Sequence, residues 1–385
     1  MQIGVPKERK RDERRVALTP EQARALVGEG HGVWVEQGSG EAIGWSDGDY
    51  ARAGARVVAQ SEVYERAELL LKVKCPIPDE YPLLRPRHVL FAFLHFDENI
   101  PAENIGRIVG TGITGIAYEW VQKGDRFPLL QPMSELTGAV YARKSMALLV
   151  ENAGILGGAY QPEWGASRVM VIGGGHIGAN AINVFLMNRF DLVVVDKHPE
   201  TLASRLGRYV GPGLWETARP EVVTFDESKP AESVAAIHER LGGVSIVLGC
   251  AVRRPTLPKE TCEYLIRRAD VATMRRNSVL CDATACDRDL FETCVSSDSL
   301  TETYVVDGVV HYSCDHIPSL VPRTATELLT AATFPYVRLL ASGFAGAVRE
   351  SESLARGVMC HRGKVTHAYS ARKKHLEYTD LASLI

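Results

Sequence analysis

Residues 168–178, RVMVIGGGHIG, run an apolar strand straight into Gly173, Gly175 and Gly178. The next apolar strand, DLVVV, then ends at Asp196, eighteen residues past the last glycine. That spacing is the sequence form of a βαβ unit that binds a dinucleotide. The first glycine permits the tight turn, the second lets backbone N–H groups approach a pyrophosphate, and the third lets helix and strand pack closely. His176 and Ile177 open the helix, whose N-terminus carries partial positive charge toward the phosphates. A lone GxGxxG also fits an ordinary glycine turn of an α/β protein. Here the strand, the helix (179–190) and the acid stand where nucleotide binding needs them. Asp196 is expected to accept the ribose hydroxyls and to repel a 2′-phosphate, which favours NAD over NADP, and Lys197 and His198 soften that preference.

A chain of 385 residues is long enough for about two domains with separate cores. Its net charge of −3 lacks the basic excess of a nucleic-acid binder. No apolar run reaches membrane-spanning length, and Met1 opens onto a strand rather than a signal peptide. The eight cysteines show no CxxC or Cys/His zinc spacing. Cys250 and Cys281 fall in apolar strands, Cys262 and Cys360 in expected helices, and reduced buried thiols are the reading. A cytoplasmic protein with no nucleic-acid or membrane partner follows.

Before residue 130, the segments QIGVP, VWVEQ, LLLKVK and HVLFAFLHF read as strands. Helices are expected near 20–29, 47–54, 61–67 and 100–109, the first with Thr19 as N-cap and Pro20 at its first position. A long helix over 137–154 joins this part to the glycine-loop section, which continues through EVVTF, VSIVLGCA and SVLCDAT. TYVVDGVVHYSC and a second long helix over 324–343 follow. The last dozen residues read as a loosely held polar tail, with LASLI able to dock. The fold class is α/β with two Rossmann-like domains. A nucleotide-binding domain (136–309) is inserted into a discontinuous substrate domain (1–135 and 310–385).

Strand ends offer candidate chemistry. Arg15 follows a charged run, Lys74 ends LLLKVK, and His95 lies near the end of FAFLHF. An arginine–lysine pair suits a carboxylate, and an imidazole exchanges protons near neutral pH. Each has a plainer reading. Arg15 is one of six Lys/Arg between positions 7 and 15, which suits a solvated surface. Lys72 and Lys74 alternate with apolar residues as on an exposed strand face, and a lone histidine is more often structural. The VRRP turn (252–255) lies with Cys250 and Ala251 at the end of a Rossmann strand, where ligands bind. Cys250, Ala251 and Val252 are cofactor candidates there. Arg253 and Arg254 are either cofactor or anion contacts or surface residues.

The segments MQIGVPKERKRDERRVALTP, LLLKVKCPIPDEY, LFAFLHF, GIAYEW, LLQPMSE, VIGGGHIGANA and IPSLVPRTATELLTAATFPYV resemble, in order and spacing, the alanine dehydrogenase family. That family includes the nucleotide-binding part of proton-translocating transhydrogenase and, more distantly, saccharopine dehydrogenases. The resemblance covers residues 1 to about 362. It implies that Arg15 and Lys74 contact the substrate carboxylate or carbonyl and that His95 is the acid/base. It also implies that Met133 and Ser134 lie beside substrate and nicotinamide.

Two places depart from the family pattern. The family's V-D-x-A-x-D appears as CDATACD, one residue longer between Asp282 and Asp287. Asp287 is expected to be the catalytic acid, with Cys286 the residue the insertion would bring in instead. CDHIPSLVP at 314–322 is closer to the D-H-L-P-x-L-L-P of saccharopine dehydrogenases. Asp315 then either meets a polar group of the substrate or caps the turn. The resemblance implies an NAD-dependent enzyme acting on an amino acid and its 2-oxo acid, either a homo-oligomer, as alanine dehydrogenases commonly are, or a monomer, as saccharopine dehydrogenases often are. Release of ammonia, as in alanine dehydrogenase, is preferred over cleavage of a secondary amine. A non-catalytic transhydrogenase-like module is disfavoured because it has no need of a carboxylate site.

Overall fold

The computed structural model describes residues 1–98, 100–158, 167–253 and 256–385. Arg254 lies outside the described residues. Contacts divide the chain into Met1–Met133 with Val321–Ile385, and Ser134–Leu320. In the first unit the chain forms β1 (Gln2–Val5), β2 (Gly32–Glu36), β3 (Arg56–Val58), β4 (Leu69–Lys74), β5 (Val89–Phe93) and β6 (Thr114–Ala117). The second contains β7 (Arg168–Ile172), β8 (Asp191–Asp196), β9 (Glu221–Thr224), β10 (Ile246–Gly249), β11 (Val279–Asp282), β12 (Tyr304–Val306) and β13 (Val309–Ser313). Two strands, β14 (Val358–His361) and β15 (Lys364–Val365), return to the first unit.

The first sheet runs β15-β14-β6-β5-β4-β1-β2-β3 and the second β12-β13-β11-β10-β7-β8-β9. Six parallel strands in each follow the doubly wound order 3-2-1-4-5-6, counting the parallel strands alone, with antiparallel strands added at one edge. The order in which strands are added reverses between β1 and β4 in one sheet and between β7 and β10 in the other. Ligands of such sheets bind at the carboxyl ends beside those points.

Parallel strands covered on both faces read as continuous apolar runs, and β4 is one: all six of its residues are buried. This corrects the expectation of an exposed face, because Lys72 is completely buried. One core gathers Leu70, Leu90, Ala92, Ile105 and Ile108. The other gathers Met170, Val193, Ile237, Val247 and Leu280. Each such side chain contributes about 1.5–3 kcal/mol by leaving water.

Local signals account for the element ends. Thr19 caps the helix Pro20–Gly28 through a capping box with Gln22, both bonds at 3.1 Å. Asp307 and Gly308, at φ 48° and 87°, make the tight turn between β12 and β13. The long helix begins earlier than the pattern predicts, at Gln131, and runs to Ala153, so Met133 and Ser134 lie in its first turn. The later unit boundary falls at 320/321 rather than 309/310, since β13 pairs with β11. The tail is docked: Tyr378 bridges Val365, and Arg362 donates to the Leu384 carbonyl. Cys262 lies in an irregular segment and Cys360 in β14, not on helices, and none of the eight cysteines forms a disulfide. No single helix among the described residues is long and apolar enough to cross a membrane.

Candidate functional site

In the first unit, Arg15, Lys74 and His95 all follow or end strands at the carboxyl edge, on either side of the β1/β4 reversal. Arg15 is not a solvated charge; it is only 4% exposed. Its guanidinium grips Glu13 bidentately at 2.7 and 2.6 Å, and Nη1 lies 3.4 Å from the Met133 sulfur. A forked ion pair of this kind fixes the plane of the guanidinium.

Lys74 follows a register shift between β4 and β5, an irregularity that re-aims strand-end side chains. The Glu8 carboxylate accepts from the N–H groups of Val73 (2.6 Å) and Lys74 (3.3 Å) and stands 3.4 Å from the Lys72 ammonium. On its other side Lys72 meets Glu80 at 3.0 Å, and Glu80 also accepts from the Tyr64 hydroxyl at 2.8 Å. The Lys74 ammonium lies 3.4 Å from His95 Nε2.

His95 adopts a left-handed backbone, φ 50°, which is uncommon for a residue with a side chain and recurs at functional sites. Glu119 holds that turn, accepting from the His95 N–H at 2.6 Å and from the Leu94 N–H at 3.2 Å. The ring stacks on Phe93, and Nδ1 sits 2.9 Å from the Glu98 carboxylate, close but poorly aligned for a hydrogen bond. Burial disfavours the imidazolium and Lys74 opposes it too. Glu98 and Glu119 outweigh them and hold the pKa above the usual histidine value. Burial pushes Glu98 the other way, yet the imidazolium facing it brings its pKa down to about 2.

In the second unit, Gly173 turns at φ 97°, and a Cβ there would meet Ala251 at 3.0 Å. A Cβ on Gly178 would lie 1.8 Å from the Gly173 carbonyl oxygen, so only glycine packs there. One on Gly175 would meet nothing within 4 Å, which leaves room for a ligand at the start of the helix His176–Met187. Gly138 escaped the sequence reading: a Cβ there would strike the Ile177 carbonyl at 1.8 Å, so it sets how closely two helices approach. His176 Nδ1 pairs with the Tyr209 hydroxyl at 2.8 Å. Cys250 and Ala251 follow β10 beside the turn, the Cys250 thiol pushed well up by burial, and Val252 is exposed. Asp196 is buried; burial works against its ionisation, but Arg205 and the His198 and Gly174 N–H groups keep it ionised below the usual range. Ser134 is half-buried.

Arg253 is neither a free surface residue nor a free anion contact. It donates to Asp289 (2.7 Å) and to the carbonyls of Leu257, Cys262, Glu263 and Asp289, stapling its loop. Asp287 is exposed and accepts from the Ser296 N–H (2.7 Å) and hydroxyl (2.6 Å). Cys286 points its thiol toward the Thr284 carbonyl at 3.6 Å.

The perturbed carboxyl of this segment is Asp282 at the end of β11, 2% exposed. Burial lifts its pKa to about 6, although Thr284 donates to it twice. The unfolded value is about 3.9, so the folded chain binds the extra proton between about pH 4 and 6, and stability falls as pH rises through that window. Asp282→Asn removes this loss. The variant is expected to exceed wild type by on the order of 2 kcal/mol near pH 7.5 and to match it near pH 4. Urea unfolding at both pH values checks it; an equal gap at the two would sink the argument.

After β13, the Cys314 backbone is clamped by the Tyr141 hydroxyl through both its N–H (2.7 Å) and its carbonyl (2.9 Å). His316 Nδ1 meets Asp315 at 2.8 Å and the Cys314 sulfur at 3.4 Å. The three donor atoms are close enough to hold an ion. Among the described residues the buried Nε2 has no acceptor, however, and a metal-bound imidazole needs one there.

Comparison with known proteins bears out the resemblance. The family model described as alanine dehydrogenase/PNT, N-terminal domain, matches residues 4–137, and its C-terminal counterpart matches 138–368. The chain is 37% identical to the alanine dehydrogenase of Halomonas elongata over the full length of both. It is 34% identical to that of Staphylococcus haemolyticus, covering 99% of this chain and 98% of the relative. A solved L-alanine dehydrogenase superposes with TM-score 0.81 at 30% identity, covering 97% of this chain and 99% of its own. The Sinorhizobium meliloti transhydrogenase shares the fold, with TM-score 0.74 at 20% identity over 96% and 99% of the two chains.

Proposed function

Because the chain belongs to the alanine dehydrogenase/PNT family, we propose that it is an NAD-dependent L-amino acid dehydrogenase. It converts an L-amino acid reversibly to a 2-oxo acid and ammonia. The observation that carries this is the Lys74 ammonium 3.4 Å from His95 Nε2 beyond β4 and β5, together with the buried guanidinium of Arg15 on the segment that follows β1. A module that only bound nucleotide would not need two cations beside an imidazole.

The glycine turn fits a dinucleotide: the Gly175 position is open, the Gly173 turn requires positive φ, and a twelve-residue helix starts there. Gly173, Gly175, His176, Ile177 and Gly178 would hold the pyrophosphate, Asp196 the ribose, and Ser134 with Cys250, Ala251 and Val252 the rest. When bound, NAD takes up the hydride that leaves the substrate α-carbon.

The chain's own groups do the remainder. Arg15, whose Nε and Nη2 are held by Glu13, offers its Nη1 side to the substrate carboxylate, with Met133 beside it, and Lys74 supplies the second charge. His95 Nε2 takes a proton from the water that adds to the imine carbon and returns it to the departing nitrogen; the carbinolamine hydroxyl then gives its remaining proton to the imidazole as the C–N bond breaks, so ammonia leaves and the oxo acid remains. Glu98, on Nδ1, selects which ring nitrogen faces the substrate. Holding the reactants in place supplies much of the rate. In the CDATACD segment, the exposure of Asp287 and its bonds to Ser296 support a loop-holding part for it, and Asp315, which pairs with His316 Nδ1, is proposed as a polar group for the substrate. The enzyme is proposed to be cytoplasmic, in keeping with eight cysteines that form no disulfide, and to assemble as a homo-oligomer.

NADH oxidation with a panel of 2-oxo acids, each given ammonium or an amine donor such as lysine, tests the reading. Turnover with ammonium is expected, and the preferred oxo acid sizes the pocket. Turnover with the amine donor alone would overturn ammonia release in favour of secondary-amine chemistry.

A further inference from the structure

The acid that ends the second strand of a dinucleotide fold normally selects for a free ribose by repelling a 2′-phosphate. Asp196 cannot do so here, because its charge is already matched. Oδ2 accepts from the Gly174 N–H at 2.7 Å, while Oδ1 accepts from the His198 N–H at 2.8 Å and Arg205 Nη2 at 2.6 Å. The guanidinium is spread across the same place: Nη1 donates to the Gly174 carbonyl at 3.1 Å, Nη2 also to the His198 carbonyl at 3.0 Å, and Nε to the Thr201 hydroxyl at 3.1 Å. Arg205 therefore bridges the glycine turn and the end of β8, the two sides between which an adenosine ribose sits. Its side chain stays 36% exposed, against 7% for that of Asp196, so the cation and not the anion faces outward. The neighbouring Lys197 is matched by Glu227 at 2.8 Å. The four charges sum to zero where a selective site would show a net negative one.

Resting on the nucleotide reading above, we infer that Arg205 is a specificity-determining residue that admits the 2′-phosphate, so that the chain binds NADP(H) as well as NAD(H). The phosphate takes the remaining Nη1 N–H at the exposed edge of the guanidinium as a charge-assisted hydrogen bond. Asp196 stays anchored by two backbone N–H groups and does not become a buried unpaired charge. With NAD(H), the same carboxylate still has lone pairs for the ribose hydroxyls.

The test is titration of the full-length protein with NADH and, separately, NADPH, followed by nicotinamide fluorescence, for wild type, Arg205→Gln and Arg205→Lys. The wild-type Kd for NADPH is expected within about tenfold of that for NADH. Arg205→Gln should raise the NADPH/NADH ratio about 10- to 100-fold, the range for losing a charge-assisted contact, and Arg205→Lys should raise it less. Because the readout is a ratio within each protein, any general loosening by the substitution cancels. A wild-type ratio above about tenfold overturns the inference, as does an Arg205→Gln ratio that fails to rise. Binding of neither dinucleotide overturns the nucleotide reading itself, and the inference falls with it.

Discussion

His95→Ala is expected to lower turnover by about 10²- to 10⁴-fold, the range for removing a positioned general acid/base, while NADH still binds. Proton transfer, not ligand binding, is what the imidazole supplies. The left-handed turn held by Glu119, the stacked Phe93 and the Glu98 carboxylate on Nδ1 all serve to aim Nε2. Glu98→Gln separates aiming from titration. Without that carboxylate, burial and Lys74 lower the His95 pKa, so the neutral base appears at lower pH. In the oxidative direction, where activity rises as His95 loses its proton, the acid limb of the pH–rate profile should move to lower pH. If His95→Ala keeps wild-type turnover, or if Glu98→Gln leaves the limb in place, His95 is not the proton shuttle.

The glycine turn was legible because its demands are local. Positive φ at Gly173 and the 1.8 Å approach at Gly178 act on residues within one turn of chain, so spacing alone exposes them. Asp196 was legible as an acid at a strand end but not as a paired one, since Arg205 looks like any helix-surface arginine until its acceptors are seen. Arg15, Lys74 and His95 were ambiguous singly, and only the resemblance implied a shared substrate site. The carboxylates that hold them had no sequence signal: Glu8 reaches β4 across 65 residues, and Glu119 reaches His95 across 24. The same blindness made Lys72 look exposed, because alternation in a parallel strand buried on both faces means nothing about solvent. Arg253 shows the converse, a turn arginine that reads as free until four carbonyls are found around it.

Lys72→Met should be the most destabilising of the variants considered, by about 3–5 kcal/mol, since it strips the shared cation from two buried carboxylates. Glu80 is 1% exposed, and the side chain of Glu8 3%. Burial already raises the Glu8 pKa although Lys72 pulls it down, so without the ammonium the carboxyl is driven further toward its neutral form. Burial also works against Lys72, but Glu8 and Glu80 raise its pKa, so its contribution persists below the unfolded lysine value of about 10.4 and the pair is intact across ordinary assay conditions. The sign in the variant is opposite: a carboxyl whose folded pKa is raised loses stability as pH climbs above its unfolded value of about 4.3. The deficit against wild type should therefore widen between about pH 5 and 8, and Lys72→Met with Glu80→Gln should recover part of it. The damage should also reach the chemistry, because Glu8 holds the backbone of Val73 and Lys74. Denaturant unfolding at the two pH values checks the first claim and kcat the second. A loss below about 1 kcal/mol that ignores pH would mean the Glu8–Lys72–Glu80 cluster is hydrated and contributes like an exposed ion pair.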